Sequence, residues 1–97
     1  MEFKCSGKVF EWRGPSPFYF IATSPKLSSL IRERSQILSY GWGVIHIRGK
    51  IKEVSFQTAI IPKNGVYFIP LKDAVRKSLG IQLDDNITIE FDLGKQS

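Results

Sequence analysis

The sequence predicts a mainly β protein, a small β-barrel with two short helices, built from two similar strand–strand–helix–strand halves. Three observations carry this reading. Val66–Phe91 reads strand, short helix, strand, with Ile87-Thr-Ile-Glu-Phe91 alternating like a half-buried strand. A shift of 48 residues lays Phe18-Tyr-Phe-Ile21 on Val66-Tyr-Phe-Ile69, Leu27 and Ile31 on Val75 and Leu79, and Phe3 on Ile51, so the order of elements recurs. Two long alternating segments lose their parity midway, at Val9-Phe10 and at Glu53-Val54, as strands do where a bulge lets a small sheet curl. The chain of 97 residues is expected to form a single domain, 1–97, with halves of about 3–51 and 51–93.

In chain order, Glu2–Trp12 is a strand, Phe3, Cys5 and Val9 alternating with Lys4, Ser6 and Lys8. Gly14-Pro-Ser-Pro17 is turn chemistry. Phe18-Tyr-Phe-Ile-Ala22 reads as a short, aromatic, buried strand. Ser24 before Pro25 is an N-cap and first-turn signature. A helix is expected from Pro25 to about Arg34 or onward to Leu38, with Leu27, Leu30, Ile31 and Leu38 on its apolar stripe. Tyr40-Gly-Trp-Gly43 ends it. Val44–Lys52 alternates cleanly, Ile45, Ile47 and Ile51 against His46, Arg48, Lys50 and Lys52. Beyond Glu53 the apolar side passes to Val54, Phe56, Thr58 and Ile60, which predicts one long strand with a bulge. Asn64-Gly65 supplies positive φ for a hairpin. Pro70 should stop the next strand and Leu71–Leu79 form a helix. Leu71, Ala74, Val75 and Leu79 would share its apolar face, Asp73 would pair with Arg76 and Lys77, and Gly80 would close it. Gly94–Ser97 is a tail.

Composition bounds the function. The chain is 42% hydrophobic and 12% aromatic, which is folded-domain material. Its single cysteine, Cys5, forbids an internal disulfide and fits a reducing compartment. No apolar run reaches the roughly 20 residues of a membrane helix. MEFKCSGKVF lacks the apolar core of a signal peptide, so a soluble, cytoplasmic protein is expected. The net charge of +5 is uneven: residues 84–92 hold four of the nine acids and no base. A basic body with an acidic last strand suits an anionic partner, or a complementary contact within or between chains.

Catalytic chemistry is not visible. One Cys and one His, 41 positions apart, make no metal cluster, so no metal and no cofactor are expected. Cys5 lies on the inward parity of its strand, as a buried inert thiol. Asp84-Asp85 are adjacent acids in a turn and not a facing pair. No phosphate loop or nucleophile elbow occurs. Two binding patches stand out instead. His46, Arg48, Lys50 and Lys52 share one strand face at roughly 6–7 Å spacing, which suits phosphates of a nucleic acid; the alternative is pairing with Glu90 and Asp92. Trp42, with Tyr40, Phe56 and Tyr67 as an aromatic floor and Lys63, Lys72 and Arg76 as a cationic rim, suits a small anionic ligand, a peptide terminus or a base; the alternative is that Trp42 plugs the barrel end.

Gly41-Trp-Gly43, Thr58, Pro62-Lys63, Gly65, Tyr67, Pro70-Leu-Lys-Asp-Ala-Val-Arg-Lys77 and Gly80 resemble the family catalogued as domain of unknown function 1905. Phe3, Val9, Trp12 and Phe20-Ile21 fit as well, so the resemblance runs from Phe3 to Leu93. It implies a double-split β-barrel, similar in its half-unit to the swapped-hairpin barrels of AbrB- and MazE-type DNA-binding proteins, here with both halves in one chain. In larger relatives such a domain sits beside a bacteriocin-protection domain. The chain departs from the family pattern at Asp85-Asn86, where Gly-Asp is usual; asparagine also tolerates a left-handed turn. The resemblance brings no activity with it. The expected function is that of a non-catalytic binding or interaction module, monomeric or weakly self-associating, with nucleic-acid binding through the basic strand as the alternative.

Overall fold

The structure, a computed structural model, describes residues 2–13, 17–38 and 45–93. In chain order the elements are β1 (Glu2–Lys8), β2 (Phe10–Arg13), β3 (Pro17–Ala22), α1 (Pro25–Leu38), β4 (Ile45–Ile51), β5 (Val54–Lys63), β6 (Val66–Leu71), α2 (Asp73–Leu79) and β7 (Asn86–Leu93). The seven strands make one curled antiparallel sheet in the order β1-β7-β4-β5-β6-β3-β2, a barrel-like architecture. The first and last strands of that order are neighbours in sequence, separated only by Val9. β1 pairs with β7 and β2 with β3, so the chain itself joins the two ends of the sheet. Curling also brings β1 against β3, where Cys5 Sγ lies 3.7 Å from the Ala22 carbonyl oxygen.

The break expected at Val9 is present, and its backbone is held from outside both ladders. Val9 N–H donates to the Asp85 carbonyl and Asp84 N–H donates to the Val9 carbonyl, each at 2.9 Å. β5 is shared in a similar way: Val54–Ile60 pair with β4, while Ile61–Lys63 pair with β6. Inward positions fill the core with Ile21, Ile31, Ile45, Ile60, Ile69 and Ile89, all fully buried, and Phe3 stacks on its register partner Phe91 at 5.5 Å. Cys5 is buried as its parity predicts, and burial raises its thiol pKa.

The helices start and stop as their caps direct. Ser24 Oγ accepts from Leu27 N–H at 3.1 Å, capping α1. Thr23 extends the β3–β6 ladder, its N–H donating to the Tyr67 carbonyl and its hydroxyl accepting from Tyr67 N–H; the hydroxyl also bonds the buried Ser28. Gly80 is left-handed (φ 66°) and closes α2, with its N–H and that of Ile81 turned back on the Arg76 carbonyl.

Several expectations are corrected. The parity change at Glu53 is a two-residue hairpin and not a bulge: Ile51 stands opposite Val54, and cross-strand partners share a face. Lys52 takes the positive φ (54°) there, a position that no glycine or asparagine announces. Pro70 lies within β6 and α2 begins only at Asp73. β5 pairs with β6 only as far as Phe68, which leaves an open edge beside Pro70. The Thr23–Tyr67 bond sets the alternation along β3, so the Phe20–Pro70 pair exchanges no hydrogen bonds and the missing N–H costs nothing. The left-handed residue before β7 is Asp84 (φ 69°), not Asn86. Leu30 and Ala74 are exposed instead of lying on the apolar faces of their helices, while Ile31 and Val75 are buried. Of the turn expected at Gly14–Pro17, Pro17 opens β3; its other residues, the turn expected at Tyr40–Gly43 and the tail Gly94–Ser97 lie outside the described residues.

Two substitutions test this packing. A Cβ on Gly49 would stand 2.7 Å from the Phe56 ring that covers it, so Gly49→Ala should destabilise by about 1–3 kcal/mol in urea unfolding. Gly80→Val should cost about 1 kcal/mol or more in the same assay, because a β-branched side chain resists the left-handed conformation.

Candidate functional site

The basic strand face meets an acidic neighbour. β7 lies between β1 and β4, which places Asp92 in register with Arg48 and Glu2, and Glu90 in register with Lys50 and Lys4. Arg48 Nε donates to Asp92 Oδ1 at 3.1 Å. His46 is exposed and engaged with a neighbour, and Lys52 has turned off the strand into the hairpin. A groove of about 610 Å³ crosses this face, lined by Arg48 and Lys50 but also by Glu2, Glu90 and Asp92. The rows across β1, β7 and β4 read Glu2–Asp92–Arg48 and Lys4–Glu90–Lys50, so carboxylates interrupt the bases and this face offers no continuous positive track to a phosphate backbone.

The second predicted patch is dispersed. Trp42 and Tyr40 lie outside the described residues. Tyr67 is 3% exposed and Phe56 is buried, so both rings belong to the core. Lys72 is exposed at the N-cap of α2. The Arg76 guanidinium stacks on Tyr19, 3.9 Å from the ring centre, and its Nη2 donates to Asp73 Oδ1 at 2.6 Å, the pairing expected within α2. Arg76 Nε is buried with no hydrogen-bond partner among the described residues. Lys63 instead goes to Trp12, its Nζ 4.4 Å above the ring centre.

That contact marks a surface the sequence reading missed. β2, β3 and β6 each present aromatic residues at even positions: Phe10 and Trp12, Phe18 and Phe20, and Phe68. Odd positions such as Ile21 and Ile69 fill the core. The even-numbered rings form their own cluster on the outside of the sheet. Phe10 packs edge-on against Phe68 at 5.0 Å, and Phe20 lies 5.7–6.4 Å from Phe10, Trp12, Phe18 and Phe68. Phe20 is 4% exposed because the other rings surround it, while Trp12 is 42% and Phe18 58% exposed. Phe18 is therefore not the buried residue that its aromatic strand suggests. The signal was available: a strand apolar at both parities is covered on both faces or offers one of them to a partner. β2 is also the last strand of the sheet, so its outer backbone edge has no ladder partner among the described residues.

Among the described residues, no group of three or more His, Cys, Asp and Glu side chains is placed to hold a metal ion, and no helix is long and apolar enough to cross a membrane. The family described as Domain of unknown function (DUF1905) matches residues 6–91, and the chain belongs to that family. No curated protein matches the chain. The match spans β2, β3 and β6 and therefore the whole aromatic cluster.

The cluster has an inner ring that supports the fold and outer rings that contribute little to it. Phe20→Ala should cost about 3–5 kcal/mol, as for other buried phenylalanines. Phe18→Ala should cost less than about 1 kcal/mol. Chemical denaturation of the two single variants checks both values.

Proposed function

We propose that this domain is a non-catalytic binding module and that its working surface is the aromatic face of β2, β3 and β6. The observation that carries the reading is the five-ring cluster outside the core, with Trp12 and Phe18 left open to solvent at its outer rim. Large exposed rings gathered on one face hold apolar area in water with little return in stability, and such patches mark interaction sites. Trp12 and Phe18 are directly paired across β2 and β3 and both rings lie against the buried Phe20, so two large rings are presented side by side. The carboxylates of β7 set beside Arg48 and Lys50 of β4 favour a structural role for the basic strand face, which leaves the aromatic face as the better candidate.

We also read the barrel as two like halves within one chain. The helices begin at Pro25 and Asp73, 48 positions apart, and Ile21 pairs with Ile69 at that same spacing. A barrel completed by its own second half leaves its outer faces available to a partner.

Amide NMR with a panel of indole, mononucleotides and a proline-rich peptide tests the reading. Shift changes should gather on residues 10–13, 17–22 and 66–70. Changes confined to β4 and β7, or none with any probe at millimolar concentration, would refute it.

A further inference from the structure

Resting on the reading of the aromatic face as a binding surface, we infer that its ligand is single-stranded nucleic acid, with bases stacked on Trp12 and Phe18 and the adjoining phosphates met by Lys63 and its basic surroundings. The rings supply the first half of the chemistry. Unpaired bases stack on aromatic side chains displayed on sheet surfaces, and every base has a π-face, so two neighbouring rings bind a strand with little sequence preference. Trp12 and Phe18 are such a pair, one on each of two adjacent strands and in direct register.

Charge supplies the second half. Residues 10–13, 17–38 and 61–72 hold β2, β3, β6, the end of β5 and α1, the helix that buries Ile31 in the core. They carry Arg13, Lys26, Arg32, Arg34, Lys63 and Lys72 against only Glu11 and Glu33, a surplus of four of the chain's five net positive charges. The remaining residues, which include the basic strand, hold eight bases and seven acids. The outward positions of β2, β3 and β6 carry no carboxylate. Lys63 stands 4.4 Å over Trp12, so the phosphate of a base stacked on that ring falls within reach of an ammonium group. Arg32 lies beside the turn that follows, its Nη2 3.5 Å from the Gly65 carbonyl.

The same features select against other occupants. A duplex keeps its bases stacked inside and offers the rings nothing to cover. A second copy of this chain would bring two basic halves together without matching acids.

Binding of fluorescent ten-nucleotide oligothymidine, the same length of oligouridine, and a DNA duplex is measured by anisotropy at about 50 and 200 mM salt. Both single strands should bind at least about tenfold more tightly than the duplex. Their affinity should fall by roughly tenfold between the two salt concentrations, the response of two or three phosphate contacts. Trp12→Ala should weaken binding roughly 5- to 100-fold, the loss of one stacked base, while Trp12→Phe retains most of it. Thermal melting verifies that each variant is folded, and the double variant Arg48→Gln, Lys50→Gln should bind like the parent. Equal affinity for duplex, loss of binding in the Arg48/Lys50 variant, or indifference to Trp12→Ala would overturn the inference. Absence of strand binding at 50 mM salt would overturn it as well. If NMR probes still map to β2, β3 and β6 in that case, the binding-module reading stands with a different ligand; if they do not, both fall.

Discussion

The two backbone hydrogen bonds that Val9 exchanges with Asp84 and Asp85 hold the bend on which the rest of the barrel depends. At Val9 the chain leaves the ladder with β7 and enters the ladder with β3, and its peptide groups belong to neither. Val9 is completely buried, so its N–H and carbonyl would each cost about 1–3 kcal/mol if left unpaired. The loop after α2 supplies both partners. That loop is placed by the left-handed Gly80 and shaped by the left-handed Asp84, and the Asp85 carboxylate ties back to Gln82 N–H at 2.8 Å. The second helix, its cap and the last turn thus fix where the first strand bends, and the bend joins the two ends of the sheet.

Closing the sheet this way places β7 between β1 and β4, and that insertion decides the electrostatics. Four of the nine acids sit between residues 84 and 92, and two of them, Glu90 and Asp92, stand in register with Lys50 and Arg48 of β4. The exposed Arg48–Asp92 pair adds at most a fraction of a kcal/mol to stability. Its larger effect is to set opposite charges side by side, which breaks up the basic face of β4. At the other end of the sheet β2, β3 and β6 carry rings on their outer side, and Trp12 and Phe18 are exposed on it. Phe20 packs like a core residue without belonging to the core, while Trp12 and Phe18 stand at its rim.

Most elements were legible because their determinants are local. Period-two alternation gave β4, Ser24-Pro25 gave the start of α1, Gly80 gave the end of α2, and Asn64-Gly65 gave the hairpin, where both residues take positive φ. The misreadings share a cause. Pro70 sits inside β6 because β5 leaves its ladder with β6 beyond Ile61 and pairs with β4 instead, Lys52 turns the chain where Ile51 and Val54 pair, and the left-handed Asp84 donates its N–H to Val9. Each depends on a strand or loop distant in sequence.

The candidate site divides along the same line. By itself the sequence determined the family, the β-rich architecture, the buried thiol of Cys5, the Asp73–Arg76 pair and the excess of positive charge, since residue type and short-range spacing suffice for each. Only the tertiary structure decided which side chains share a surface. It set Glu90 and Asp92 beside the basic strand, sent Tyr67 into the core, and gathered Phe10, Trp12, Phe18, Phe20 and Phe68 from three strands onto one open face. The physical reason is that cross-strand register, unlike periodicity along a strand, is written between residues as much as 90 positions apart, as Glu2 and Asp92 are, and no local pattern records it.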